Sequence, residues 1–187
     1  MLVEKVYHRE RAVAYAERWA LSRNPLFIDF AGLGGDCTNF VSQCILAGSC
    51  TMNFTPTYGW YFRSSADRSP SWTSVEYLYD FLTGVPEFAR ENGGIGPYGR
   101  EVPRRLVRIG DVVQLADETE DFYHTLIVSA VLADDLLVCA HTDDALNRPL
   151  STYRYASVRF IHIDGVRVEF PEDSCYFGLI EGTELPR

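Results

Sequence analysis

The hydrophobic period of this chain changes once, near residue 105, and that change limits the fold more than any other feature. Before it, apolar residues return at the three-and-four spacing of a helix face. Ala12, Tyr15, Ala16 and Trp19 mark one helix from His8 to about Arg23; Phe40, Val41, Cys44 and Ile45 mark a second that opens at Cys37. Val75, Leu78, Tyr79 and Leu82 mark a third. Asn24-Pro25 stops the first helix, because the residue before proline is pushed out of helical dihedrals. The second is expected to end near Gly48. Thr73-Ser74-Val75-Glu76 reads as a capping box for the third, and Gly84 closes it.

After residue 105 the runs are β-rich: Asp111 to Leu115, Tyr123 to Val131, Leu136 to His141 and Val158 to Ile163, with Asp134-Asp135 as a tight connection. Helices first and sheet second predict an α+β fold, with the Cys37 helix packed on a C-terminal antiparallel sheet. Residues 50 to 72 show neither period and read as a long loop. Asn92-Gly93-Gly94-Ile95-Gly96-Pro97 reads as a flexible connector. The expected organisation is one domain over residues 1–165 and an extension over 166–187 holding one more strand, Val166 to Phe170.

Composition narrows the function classes. A net charge of −9, with Lys5 the sole lysine, speaks against a nucleic-acid partner. No apolar run approaches a membrane span, and Met1 to Lys5 lacks the apolar stretch of a signal peptide. The five cysteines, at 37, 44, 50, 139 and 175, are odd in number and irregular in spacing. They predict neither a disulfide framework nor a structural zinc site, and point to a reducing, cytoplasmic setting.

Chemistry concentrates at Cys37. A thiol in the first turn of a helix faces unpaired N–H groups and the positive end of the dipole, which favour thiolate. Asp36 is a suitable N-cap, and Gly34-Gly35 permit a sharp turn and a close approach. The competing reading, a small buried core cysteine, suits mid-helix Cys44 better. A cysteine nucleophile needs a base, and the base needs an orienting partner. His8 falls on a polar helix face, and His162 alternates with apolar neighbours as a strand-surface or core histidine. His124 stands near the start of a strand, sharing with Leu126 and Val128 the face expected to meet the Cys37 helix. A hairpin about Ala133-Asp134-Asp135 brings His141 or Asp143 opposite it, and both stand as candidate orienters. Trp60 and Tyr61 either shape a substrate cleft or pin their loop to the core.

The motif order Gly34-Gly35-Asp36-Cys37-Thr38-Asn39-Phe40-Val41-Ser42-Gln43-Cys44, Gly59-Trp60-Tyr61, Ser71-Trp72-Thr73, Gly110-Asp111-Val112-Val113-Gln114, Tyr123-His124-Thr125-Leu126-Ile127-Val128 and Ala140-His141-Thr142-Asp143-Asp144 through Ser151 resembles the putative amidase domain of bacilli and clostridia. The resemblance runs from about residue 9 to 163. It implies a papain-like fold and a cysteine- and histidine-dependent amidohydrolase or peptidase, a group that includes bacterial cell-wall hydrolases. It places the nucleophile at Cys37, the base at His124 and the polar third member at His141, supported by Asp143. Papain-like relatives often carry a glutamine before the nucleophile, whereas Asp36 stands there here. The oxyanion donor is therefore open among the Cys37 N–H, Asn39 and Gln43.

The leading expectation is a cofactor-free cysteine amidase or peptidase acting on a small peptide or amide. A zinc hydrolase built from Cys37, His124, His141 and Asp143 is a second enzyme class, though no H-E-x-x-H or paired C-x-x-C spacing supports it. A non-catalytic peptide- or glycan-binding module using the Trp60 loop is the alternative outside catalysis.

Overall fold

The computed structural model describes residues 1–33, 35–171 and 174–186. Gly34 of the turn before Cys37 lies outside them. The predicted helices are present as α1 (Arg9–Trp19), α2 (Cys37–Ser49) and α4 (Val75–Thr83), joined by the shorter α3 (Pro70–Thr73), α5 (Pro86–Asn92) and α6 (Tyr176–Glu181). The strands are β1 (Val3–Lys5), β2 (Gly96–Val102), β3 (Val112–Ala116), β4 (Phe122–Val131), β5 (Leu136–Ala140), β6 (Ala145–Pro149) and β7 (Ser157–Val168). Helices dominate the N-terminal part of the chain and the antiparallel sheet the C-terminal part, although β1 and β2 precede residue 105 and α6 follows it.

The sheet runs β1-β7-β3-β4-β5-β6, and β2 pairs with β7 outside this path. Arg167 pairs with both Glu4 and Gly96, and Phe160 with both Val113 and Val102. Strands β1 and β3 therefore share one edge of the long β7 while β2 takes the other. The sequence reading lacks β1, β2, α3, β6 and α6, and two segments differ from it. The segment read as a flexible connector ends α5 and starts β2, its carbonyls at Asn92 and Ile95 held by Asn53 Nδ2. The strand expected from Val166 is the end of β7, which runs through Gly165 without a break.

Alternation across the sheet separates two cores. Val112, Ile127, Cys139 and Ile161 lie on one face in a cluster with the helices, including Phe40, Val41, Cys44 and Ile45 of α2. Val113, Leu126, Val128, Val138 and Phe160 lie on the other, closed over by Val107, Leu150 and Tyr153. Every residue of α2 is buried, so this helix is the central rod of the first cluster. It ends one residue past Gly48, at Ser49, with Cys50 in the left-handed region at φ 48°. Gly48 has a packing role instead: a Cβ there would stand 2.4 Å from the Tyr7 ring.

Cys50 and Cys175 form a disulfide with Cα atoms 5.5 Å apart, which overturns the expectation of unpaired cysteines. The pairing was illegible because the two residues are 125 positions apart with no local motif between them. This bond fastens the C-terminal segment to the end of α2. Tertiary bonds add to it: Trp19 Nε1 donates to the Ile180 carbonyl and Asn24 Nδ2 to the Leu179 carbonyl. Among the described residues no helix is long and apolar enough to cross a membrane.

Candidate active site

Cys37 occupies the first turn of α2, as its spacing predicts, and is buried. Its Sγ lies 3.8 Å from Thr38 Oγ1, and Thr38 Oγ1 in turn shares a 2.9 Å hydrogen bond with Thr125 Oγ1 of β4. One residue back from each threonine stand Cys37 and His124. This bond ties the helix of the nucleophile candidate to the strand of the base candidate.

The face assignment of His124 needs correction. Leu126 and Val128 belong to the cluster on the side of the sheet away from α2, and the residues of β4 that meet the helix face are Thr125 and Ile127. His124 lies at the strand's beginning, where a bulge interrupts pairing with β3 between His124 and Phe122. Its ring lies between the rings of Tyr123 and Tyr153, at centroid distances of 6.3 and 6.1 Å. Among the described contacts it makes no direct hydrogen bond to Cys37 Sγ; in substrate-free active sites such bonds are often long.

Burial pushes the His124 imidazole down to about 4, with the Asp143 carboxylate opposing and the Arg148 guanidinium adding to the shift. The ring is neutral near pH 7 and has a lone pair to accept a proton. The same shift has a stability consequence. Between the ordinary value of 6.5 and about 4, the unfolded chain binds a proton at this site that the native chain refuses. Native stability therefore falls as pH drops through that window, by about 3 kcal/mol in total, and is unaffected by this group above it. We expect His124→Gln to lose less stability than the native chain between pH 7.5 and 4.5 in urea titrations. Equal losses would assign the acid sensitivity to other groups.

His141 is placed elsewhere than opposite His124. Its Nδ1 lies 2.6 Å from Asp36 Oδ2 and its Nε2 2.9 Å from the Trp19 carbonyl, while its ring stacks on Phe40 at 3.9 Å. Both ring nitrogens are taken, which fixes the ring between Asp36 and the Trp19 carbonyl. Asp143 follows in the turn after β5, where it and Thr142 hold the left-handed conformation at φ 60° and 59°. Two adjacent non-glycine residues there store strain. Compensation comes from the Asp36 N–H bonded to Thr142 Oγ1 at 2.9 Å and from Asp144, bound through both oxygens by Arg23. Of the two candidate orienters, Asp143 is the one whose charge reaches His124.

Of the two side-chain oxyanion candidates, Asn39 has its donor group engaged and Gln43 its acceptor. Asn39 Nδ2 donates to the Ile28 carbonyl and to Asp36 Oδ1, and its Oδ1 accepts from Trp72 Nε1. Gln43 Oε1 accepts from the Tyr15 hydroxyl. Asp36 does not cap α2 through its side chain, despite standing at the N-cap. The first-turn amides, the Cys37 N–H among them, thus have no partner inside the helix and none from the Asp36 carboxylate. Trp60 is fully buried, donating from Nε1 to Ser42 Oγ and packed on Trp72 at 4.9 Å, and Tyr61 is buried beside it. The Trp60 loop is therefore pinned to the core rather than open to a ligand.

His162 is a structural group: its Nδ1 is 2.8 Å from Asp111 Oδ2, and Arg9 Nη1 binds Asp111 Oδ1 at 2.6 Å. Among the described residues no three His, Cys, Asp or Glu side chains are grouped to hold a metal ion. Sequence reasoning missed Arg23, Thr142, Arg148 and Tyr153. Thr142 and Arg148 stand within the run from Ala140 to Ser151 without a role assigned there, and Arg23 and Tyr153 belong to no motif.

A family model described as a putative amidase domain matches residues 6–163. The uncharacterized protein YhbB of Bacillus subtilis strain 168 is 33% identical over 146 residues, covering 76% of this chain and 43% of its own length. The chain thus spans less than half of that relative. No solved structure matches it. With the motifs carried on the elements described above, the chain belongs to the putative amidase domain family.

Proposed function

We propose that the protein is a papain-like cysteine amide hydrolase acting on small peptides or amides, those of the peptidoglycan type among them. What supports the reading is Cys37 in the first turn of the buried helix α2, which the Thr38–Thr125 bond ties to the strand that carries the neutral imidazole of His124. His124 takes the thiol proton as Cys37 Sγ adds to the amide carbonyl, and the carbonyl oxygen becomes an oxyanion beside the first-turn amides of α2. The imidazolium then gives its proton to the departing amine as the C–N bond breaks. Water, deprotonated by the same imidazole, adds to the thioester; collapse releases the carboxylic acid and restores the thiol. Asp143 stabilises the transient imidazolium, and no cofactor is required. A Cys50–Cys175 bond suits work in an oxidising compartment better than in the cytoplasm.

Site-resolved alkylation tests this reading. Iodoacetamide is expected to label Cys37 ahead of the other free thiols, Cys44 and Cys139, whose pKa values burial raises. His124→Ala is expected to slow labelling at Cys37 alone. Labelling of Cys37 no faster than of the two core thiols would remove the proposal.

A further inference from the structure

Asp36 stands where a carboxylate ordinarily caps a helix, yet its side chain makes no capping bond to α2. Instead Oδ1 accepts from the Phe30 N–H at 3.0 Å and from Asn39 Nδ2 at 2.7 Å, while Oδ2 faces His141 Nδ1 at 2.6 Å. Arg23 Nε comes within 3.4 Å of Oδ2 but makes no aligned hydrogen bond, its two Nη groups being committed to Asp144. His141 is accordingly the aligned partner of Oδ2. It is fixed in turn by the Trp19 carbonyl and by stacking on Phe40.

The location makes this arrangement matter. Asp36 is fully buried and adjoins Cys37 in the chain. A free carboxylate there has two effects, both adverse to the cysteine reaction. Bonded to the first-turn N–H groups it occupies the donors an oxyanion needs, and left unpaired it repels the thiolate and the oxyanion in a water-poor site.

We propose that His141 is a positioning residue for the cysteine reaction: it holds the Asp36 carboxylate turned away from the N-terminus of α2, leaving the first-turn amides to the substrate's carbonyl oxygen. It acts through Asp36 and touches neither substrate nor thiol. This rests on the reading of Cys37 as the nucleophile, and it gives His141 a part other than third member of a catalytic triad.

A double-mutant cycle separates this role from simple support of the fold. His141→Leu keeps an apolar side chain against Phe40 and removes both ring nitrogens; Asp36→Asn keeps an acceptor for Phe30 and Asn39 and removes the charge. His141→Leu is expected to lower kcat about 10- to 100-fold with KM little changed, and to slow Cys37 alkylation at pH 7. Asp36→Asn/His141→Leu is expected to recover most of both losses, because the charge that His141 restrains is gone. A structural role predicts losses that accumulate. The proposal is overturned if the double variant is no faster than His141→Leu, or if His141→Leu matches the native chain.

His141→Gln, which retains a donor toward Asp36, guards against a misfolded leucine variant. It is expected to keep kcat within a few-fold of native; a loss as deep as that of His141→Leu counts against the proposal. Native alkylation in the same series reports on the nucleophile separately. A reactive native Cys37 with a failed cycle removes the role of His141 and leaves the Cys37 reading in place.

Discussion

Cys37→Ala and His124→Gln are each expected to cut amide hydrolysis by about 1,000-fold or more while the variants remain folded. The magnitude follows from what each removes. Without Sγ there is no acyl-enzyme, and only binding and the first-turn amides of α2 remain to speed a direct attack by water. Without the imidazole the thiol must shed its proton to solvent, and the leaving amine departs without a donor. Stability should change little, since Cys37→Ala deletes one buried sulfur and His124→Gln exchanges polar groups of similar length at the start of β4, together about 1–2 kcal/mol. The acid limb of kcat/KM supplies a second reading. Because the native imidazole is held near 4, activity should persist down to about pH 5, below the fall near 6.5 that an ordinary histidine would impose. Asp143→Asn should move that limb lower still, since the Asp143 carboxylate favours the charged ring. Full activity in His124→Gln would sink the mechanism. Full activity in Cys37→Ala would sink the enzyme class as well.

What the sequence disclosed and what it hid divide along a physical line. Cys37 at a helix start and His124 near a strand start are both local, set by hydrophobic spacing and turn residues, and both were legible. The face of His124 was not. Alternation puts Leu126 and Val128 on a common side of β4, yet which side meets α2 depends on how the sheet coils, and no window of sequence records that. His141 shows the same limit from the other direction. A hairpin reading places it opposite His124, but alternation puts His141 on the face of Cys139, against Phe40 and Asp36 on the helix side. Asn39 looked available because a helix wheel lists what a residue carries and not what is already spent, here on Ile28 and Asp36. Trp60 was ambiguous for a related reason, since an aromatic in an irregular segment reads the same whether it faces solvent or Ser42.

Removing the Cys50–Cys175 bond is expected to produce a large stability loss. The loop it closes spans 125 positions, and in the chain-entropy account a closure of that length restrains the unfolded chain by about 4–5 kcal/mol, with native domains losing about 2–5 when such a bond is cut. For a chain of this size that corresponds to a fall in Tm of roughly 10 °C. The loss has a particular route. Helix α6 has six residues, too short to persist alone, and is held by the disulfide together with the bonds from Trp19 and Asn24. Trp19 is also the residue whose carbonyl accepts from His141, so the staple and the nucleophile's surroundings share a residue. Thermal unfolding of Cys50→Ser/Cys175→Ser beside the native chain, each with and without dithiothreitol, measures the effect. The native protein should fall to the variant's midpoint on reduction, and the variant should be indifferent to the reductant. Coincident midpoints for all four samples would mean that the C-terminal segment is held by its packing on α1 and α2 alone.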